Sequence, residues 1–104
     1  MRITWPTALV LAAMEHGFGY GFQIIDVTGL RAGTVYPILR RFEAEGWVRS
    51  SWERVTRARA EGRPPRRNYR LTAAGQAMVQ AANARYPGLV RLFGMAGGGS
   101  ELPA

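Results

Sequence analysis

The stretch from Thr28 to Trp47, TGLRAGTVYPILRRFEAEGW, constrains the fold more than any other part of the chain. Thr28-Gly29 is a helix-stop and turn signal, because glycine enters the left-handed backbone conformation that ends helices. Val35, Leu39 and Phe42 then recur at i, i+4 and i+7 with Ile38 beside them, which predicts an amphipathic helix. Thr34, Arg40 and Arg41 fall off that stripe and face outward. Pro37 sets the start: deep inside a helix it would cost roughly 3 kcal/mol through a lost hydrogen bond and a clash, so the helix begins at Ala32 or Gly33. Gly46 ends it, and the pattern switches from period 3.6 to period 2. Such a helix keeps its back to a core and its front free.

The segments before it complete a motif. Thr4 can cap a first helix with Pro6 in its opening turn, and Leu9, Ala12, Ala13 and His16 follow at helical spacing before Gly17. Gly17 to Phe22, GFGYGF, reads as a connector whose Phe18, Tyr20 and Phe22 pack under the next helix. Gly21 to Thr28 has room for about two helical turns, with Ile24 and Ile25 inward and Gln23 and Asp26 outward; a helix so short persists only when packed. A short helix, a glycine turn and a longer amphipathic helix make a helix-turn-helix. The exposed start of the longer helix is Ala32, Gly33 and Thr34, with Tyr36 at its edge. Small residues there admit the close approach of a duplex, and free N–H groups at a helix start favour phosphate.

After Gly46, Trp47 to Trp52 alternates as a strand, and Arg66 to Leu71 supplies a second with Tyr69 and Leu71 on one face. Between them ERVTRARAEGRPPR reads as an irregular loop with Gly62, Pro64 and Pro65 near its tip. Two strands and a basic loop directly after a helix-turn-helix form a wing. Thr72 can cap a last helix with Met78, Ala82 and Tyr86 at i, i+4 and i+8; Pro87-Gly88 interrupts it and Leu89 to Met95 adds a short apolar segment. The expected fold is therefore mainly α with a two-stranded β wing. Residues 1–71 form a winged helix-turn-helix, 72–95 a dimerisation helix region, and 96–104, GGGSELPA with Ala96, a disordered tail.

Charge says where such a fold would act. The chain carries +7, all fourteen basic residues are arginine, and residues 49–70 hold eight of them against Glu53 and Glu61. That segment contributes +6, the electrostatic footprint expected of a nucleic-acid binder; a solvated loop that keeps a small protein soluble is the plainer alternative. Other classes fall away. The absence of cysteine excludes disulfide frameworks, thiolate catalysis and cysteine metal sites. Glu43 and Glu45, two apart on a helix, point away from each other and make no catalytic pair. His16, the single histidine, suits a helix end near the C-terminal dipole. No enzyme, metal or cofactor is expected. No apolar run reaches the roughly 18 residues of a membrane span, and a signal-peptide layout is lacking, so the cytoplasm is the expected location. Trp5, Trp47 and Trp52 could line a pocket for a planar effector, but core packing is the expected role of Trp47 and Trp52.

These residues resemble a family. Gly21-Phe22-Gln23-Ile24-Ile25 is similar to the glycine-tyrosine-acid-hydrophobic segment of PadR-like winged-helix regulators. Thr28-Gly29-Leu30 followed by Gly33-Thr34-Val35-Tyr36-Pro37-Ile38-Leu39 resembles their recognition-helix signature. Glu43 and Glu45-Gly46-Trp47-Val48 resemble the approach to the first wing strand. Gly62-Arg63-Pro64 and Tyr69-Arg70-Leu71-Thr72 with Gly75 resemble the returning strand and the start of the last helix. The likeness spans about Leu9 to Ala84. The chain departs from the pattern in a shortened second helix, a longer and more arginine-rich wing, and a short C-terminal region.

The resemblance implies a regulator of transcription, usually a repressor, that binds double-stranded DNA at a palindromic operator as a homodimer. By position, Gly33, Thr34 and Tyr36 would meet DNA, Arg40 and Arg41 the backbone beyond them, and Arg57, Arg59, Arg63, Arg66 and Arg67 would line the wing. Met78, Ala82, Tyr86 and Leu89 would face the second subunit. A non-specific architectural or RNA-associated binder, and a winged-helix protein-interaction module, remain open on the same residues. A small-molecule effector has no residue set assigned to it.

Overall fold

The computed structural model of the 104-residue chain describes residues 2–89, 91 and 92. Its elements run α1 (Trp5–Glu15), α2 (Gly21–Thr28), α3 (Ala32–Ala44), β1 (Val48–Trp52), α4 (Val55–Ala60), β2 (Arg67–Leu71) and α5 (Ala73–Arg85). Thr4 opens α1, its hydroxyl accepting from the Thr7 N–H, and Pro6 in the first turn forfeits no helical bond. Every residue from Thr7 to Met14 is buried, so α1 is apolar all round and forms the axis of the core. α2, α3 and α5 all pack on it. The expected tail, residues 96–104, lies outside the described residues.

α2 begins where Gln23 Oε1 accepts from the Gly19 and Tyr20 N–H groups at 3.2 Å each. It ends at Gly29, whose φ of +73° is the left-handed conformation that the turn needs. α3 starts at Ala32 and buries Val35, Leu39 and Phe42 completely. Pro37 stands in its second turn, so the Gly33 carbonyl has no helical N–H to accept from; Gly33 is exposed, and water can serve that oxygen. β1 and β2 pair antiparallel with Val48 opposite Leu71 and Trp52 opposite Arg67. A bridge from Tyr20 to Asn68, with the Tyr69 N–H donating to the Gly19 carbonyl at 2.7 Å, lays the connector before α2 along the other edge of β2.

Three expectations change. The stretch between the strands is not irregular: residues 55–60 form α4, with Ala58 fully buried. A helix that buries one residue leaves no apolar periodicity to read, and its support comes from that burial and from ion pairs around it. Phe22 does not pack under α2; it is 46 % exposed, and Arg66 lies over its ring at 4.4 Å, while Phe18 does join the core. Trp52 is 66 % exposed, with Arg67 5.6 Å from its ring centroid, whereas Trp47 leans on Phe42 at 5.4 Å. In both cases a guanidinium stands over an aromatic ring that the sequence pattern assigns to the interior.

The last helix also differs in detail. Within the monomer Ala82 and Leu89 are buried to 1 % and 0 % exposure, so they serve this chain's own core. Met78 and Tyr86 are half-buried against it, with Trp5 meeting the Tyr86 ring edge-on at 5.2 Å.

Candidate nucleic-acid interface

The outward side of α3 follows from its buried stripe. With Val35, Leu39 and Phe42 inward, a 3.6-residue turn puts Gly33, Pro37 and Arg40 at the centre of the free face. Tyr36 lies on one flank, and Thr34 and Arg41 lie on the other. All but Thr34, which is half-buried, are exposed. Unlike α1 and α5, which are opened by Thr4 and Thr72 side chains, α3 has no side-chain cap. Its N-cap position is Arg31, exposed, a residue whose place before the helix start at Ala32 is the only signal for it in the sequence. The first turn thus offers uncapped N–H groups beside a guanidinium, a favourable place for phosphate.

Tyr36 is tied back by packing. Its ring lies over Gly21 at the start of α2, where a Cβ would fall 2.6 Å from Tyr36 Cζ. Glycine at position 21 therefore sets how far the Tyr36 hydroxyl projects.

The wing arginines divide by their partners. Arg63, with a side chain only 17 % exposed, is gripped by Glu53: Nη1 donates to Oε1 at 2.5 Å and Nη2 to Oε2 at 2.8 Å. It also reaches Glu61, and Glu53 Oε1 accepts from the Arg66 N–H at 3.3 Å. This bidentate pair closes the base of α4. Arg67 reaches Ser50 Oγ at 2.9 Å and Glu43 at 3.3 Å, while Ser50 donates to Glu43, so strand β2 is fastened to α3. Arg57 sits 3.9 Å from both Glu53 and Glu61 and is largely exposed. Arg54 and Arg59 are exposed and enter no ion pair among the described residues. Arg66, over Phe22, is half-buried.

The Arg63 guanidinium holds the Glu53 carboxyl at about 2, well below its ordinary 4.5, with the Arg66 N–H adding to the effect against the cost of burial. The carboxylate stays charged in the folded wing down to that pH, while in the unfolded chain it protonates near 4.5. Its contribution is complete above pH 4.5 and is lost as pH falls towards 2. The expected result is that amide-exchange protection factors in α4 drop over that interval while those in α1 hold. A Glu53→Gln variant should show low α4 protection at every pH; parallel loss in α1 and α4 would contradict the assignment.

Two helices about a glycine turn, a two-stranded wing and a returning helix constitute a winged helix-turn-helix, a fold whose free helix and wing meet DNA. Among the described residues no group of histidines and acids could hold a metal, and no helix is long and apolar enough to cross a membrane.

The chain belongs to the transcriptional regulator PadR-like family, whose model matches residues 10–81. It is a DNA-binding regulator of transcription rather than an enzyme. No curated protein matches it. Among solved structures it is similar to a PadR family regulator from hypervirulent Clostridium difficile R20291, with a TM-score of 0.69 and 18% identity over 88% of this chain and 97% of that one. A PadR family regulator from Eggerthella lenta DSM 2243 gives 0.63 and 25% identity over 86% and 79%. The PcaV regulator from Streptomyces coelicolor, solved with its natural ligand, gives 0.68 and 20% identity over 88% of this chain but only 60% of its own. The first and third likenesses, below 25% identity, concern the fold alone.

Proposed function

We propose that the chain is a repressor that binds a palindromic operator as a homodimer, each subunit laying the start of α3 in a major groove. The observation that carries the reading is the division of α3 itself. Its back is fully buried, and its free face presents Gly33, Tyr36 and Arg40, while the one carboxylate on the helix, Glu43 near its end, is engaged by Ser50 and Arg67. Gly33 lets the helix start come close to a base edge, Thr34 lies beside it to hydrogen-bond, and Tyr36 meets a sugar or phosphate. Arg31, Arg40, Arg41, Arg54, Arg57 and Arg59 follow the phosphates, and Arg66 is held for the same purpose by Phe22. Arg63 and Arg67, engaged by Glu53 and Glu43, act by holding the wing at a fixed angle to α3 rather than by touching DNA.

In the homodimer, α1 and the chain from Thr72 onward supply the contact. Half-exposed Met78 and Tyr86, with exposed Trp5 and Leu92, are the residues left for it once Ala82 and Leu89 are in the monomer core. Two α3 helices would then stand about 34 Å apart, one duplex turn.

The test is binding to the DNA upstream of the chain's own gene against a scrambled duplex, at about 150 mM salt where charge alone is well screened. A preference of roughly a thousandfold or more is expected of a specific regulator. Equal, weak binding to both would replace it with a non-specific basic binder. Absence of binding even at low salt would point to a protein-interaction module.

A further inference from the structure

The wing carries a charge arrangement that the DNA reading leaves unused. Its register sets Arg49 directly opposite Arg70. The Thr72 N–H donates to the Trp47 carbonyl and the Glu53 N–H to the Arg66 carbonyl, which fixes the alternation of the ladder. The 49–70 rung is then of the hydrogen-bonded type, with Cα atoms about 5.5 Å apart. Strand alternation turns both side chains to the sheet face opposite Val48, Ser50, Tyr69 and Leu71. Both arginines are exposed, and neither forms an ion pair among the described residues. The acids of the wing region, Glu43, Glu53 and Glu61, are taken by Arg57, Arg63 and Arg67. Like charges directly opposite destabilise a strand pair, so as a purely structural choice the rung is a poor one.

The space in front of it is a concavity. Arg49 and Arg70 line an open surface depression of about 470 Å³ with Leu71, Thr72 and Ala73. Two guanidiniums on adjacent strands suit two anionic oxygen groups, because each can fork onto one of them. The rung faces away from Ser50 and Arg67, which lie against α3, so an anion here leaves the groups that α3 presents untouched.

We propose that Arg49 and Arg70 form a site for a compact dianion, a small dicarboxylate or a phosphate group, at the base of the wing. The ligand would neutralise the rung and bridge β1, β2 and the start of α5. The inference does not rest on the DNA reading, since it needs only the register, the charges and the depression.

Thermal melting of the full chain at fixed ionic strength tests it, with chloride replaced in turn by succinate, inorganic phosphate or acetate. The melting temperature should rise saturably with succinate or phosphate and not with monovalent acetate; which of the two acts distinguishes dicarboxylate from phosphate. Arg49→Glu makes the rung an opposite-charge pair. It should melt higher than the parent in chloride and lose the dianion response. Arg70→Gln should weaken the apparent affinity roughly tenfold or more, the scale of one charge-assisted hydrogen bond, and Arg2→Gln, at an exposed arginine outside the wing and the DNA-facing surface, should leave it unchanged. An equal rise in parent and both rung variants would mean general salt exclusion and overturn the proposal. So would a response to acetate as large as to succinate. Loss of duplex binding in the rung variants with no dianion response in the parent would make the rung a nucleic-acid contact, which also overturns it.

Discussion

Replacing Gly75 with alanine lowers the melting temperature by roughly 5–20 °C, the largest effect expected of a single methyl group in this chain. Gly75 lies in the first turn of α5, buried against Trp47 at the entry to the wing and Leu71 at its exit. A Cβ there would overlap the Trp47 carbonyl oxygen and fall 2.9 Å from Leu71 Cδ2. Leu71 can turn aside; Trp47 cannot, because its carbonyl is held by the Thr72 N–H at 3.0 Å. The Thr72 hydroxyl fixes the same joint from the other side, donating to the Gly46 carbonyl and accepting from the Gly75 N–H. The helix must therefore move as a unit. Overpacking of this kind costs about 1–3 kcal/mol, and each kcal/mol is worth about 4–8 °C in a domain of this size. Gly33→Ala is the control: nothing lies within 4 Å of its Cβ position, and an alanine inside a helix is favoured over glycine by about 0.5–1 kcal/mol. Melts that fall alike for both variants, or for neither, would refute the close approach.

Arg63→Ala should reduce the salt dependence of DNA binding by roughly three units, where Arg59→Ala reduces it by about one. Each phosphate contact contributes close to one unit to the slope of log affinity against log salt. Arg59 is proposed to make one such contact, and its loss leaves the wing intact. Arg63 is proposed to make none. Its removal leaves Glu53, a side chain 5 % exposed, without the guanidinium that closes α4. Arg54, Arg57 and Arg59 then lose their fixed positions together. Trypsin should cut the Arg63→Ala wing rapidly at those three residues and the Arg59→Ala wing at the parental rate. Equal slopes and equal cleavage in the two variants would return Arg63 to the role of an ordinary phosphate contact.

That reassignment shows where sequence reasoning stops. Val35, Leu39 and Phe42 announced α3 because three large apolar residues at helical spacing have one economical placement, and Pro37 narrowed its start to where the structure has it. Gly29 and Gly46 marked the turns because their positive φ angles exclude most other residues. Thr4 and Thr72 were legible as caps for a comparable local reason. Eight arginines between positions 49 and 70, by contrast, look alike in a sequence. Whether one faces a phosphate, a carboxylate or an aromatic ring depends on partners 10 to 44 residues away, as in Arg63 with Glu53, Arg67 with Glu43 and Arg66 with Phe22. α4 is illegible in the sequence for a related reason, since a six-residue helix anchored by Ala58 alone has no period to detect. Hydrophobicity places Phe22 and Trp52 inward, whereas in the fold both stay exposed with a guanidinium over the ring.

The amino-acid sequence by itself determined the order of helices and strands apart from α4, the winged helix-turn-helix class, the likeness to the PadR-like family and the basic character of the wing. The elements depend on local backbone preference and periodicity and the basic character on total charge, all written within a few residues of one another, while the family rests on the likeness of its short motifs. Only the tertiary structure decided which arginines are committed to acids, which apolar residues of α5 are left at the surface, and that Arg49 and Arg70 share one rung. Register and packing bring distant residues to within a few ångströms, and at that distance the sign and exposure of each partner determine what a charged side chain can do.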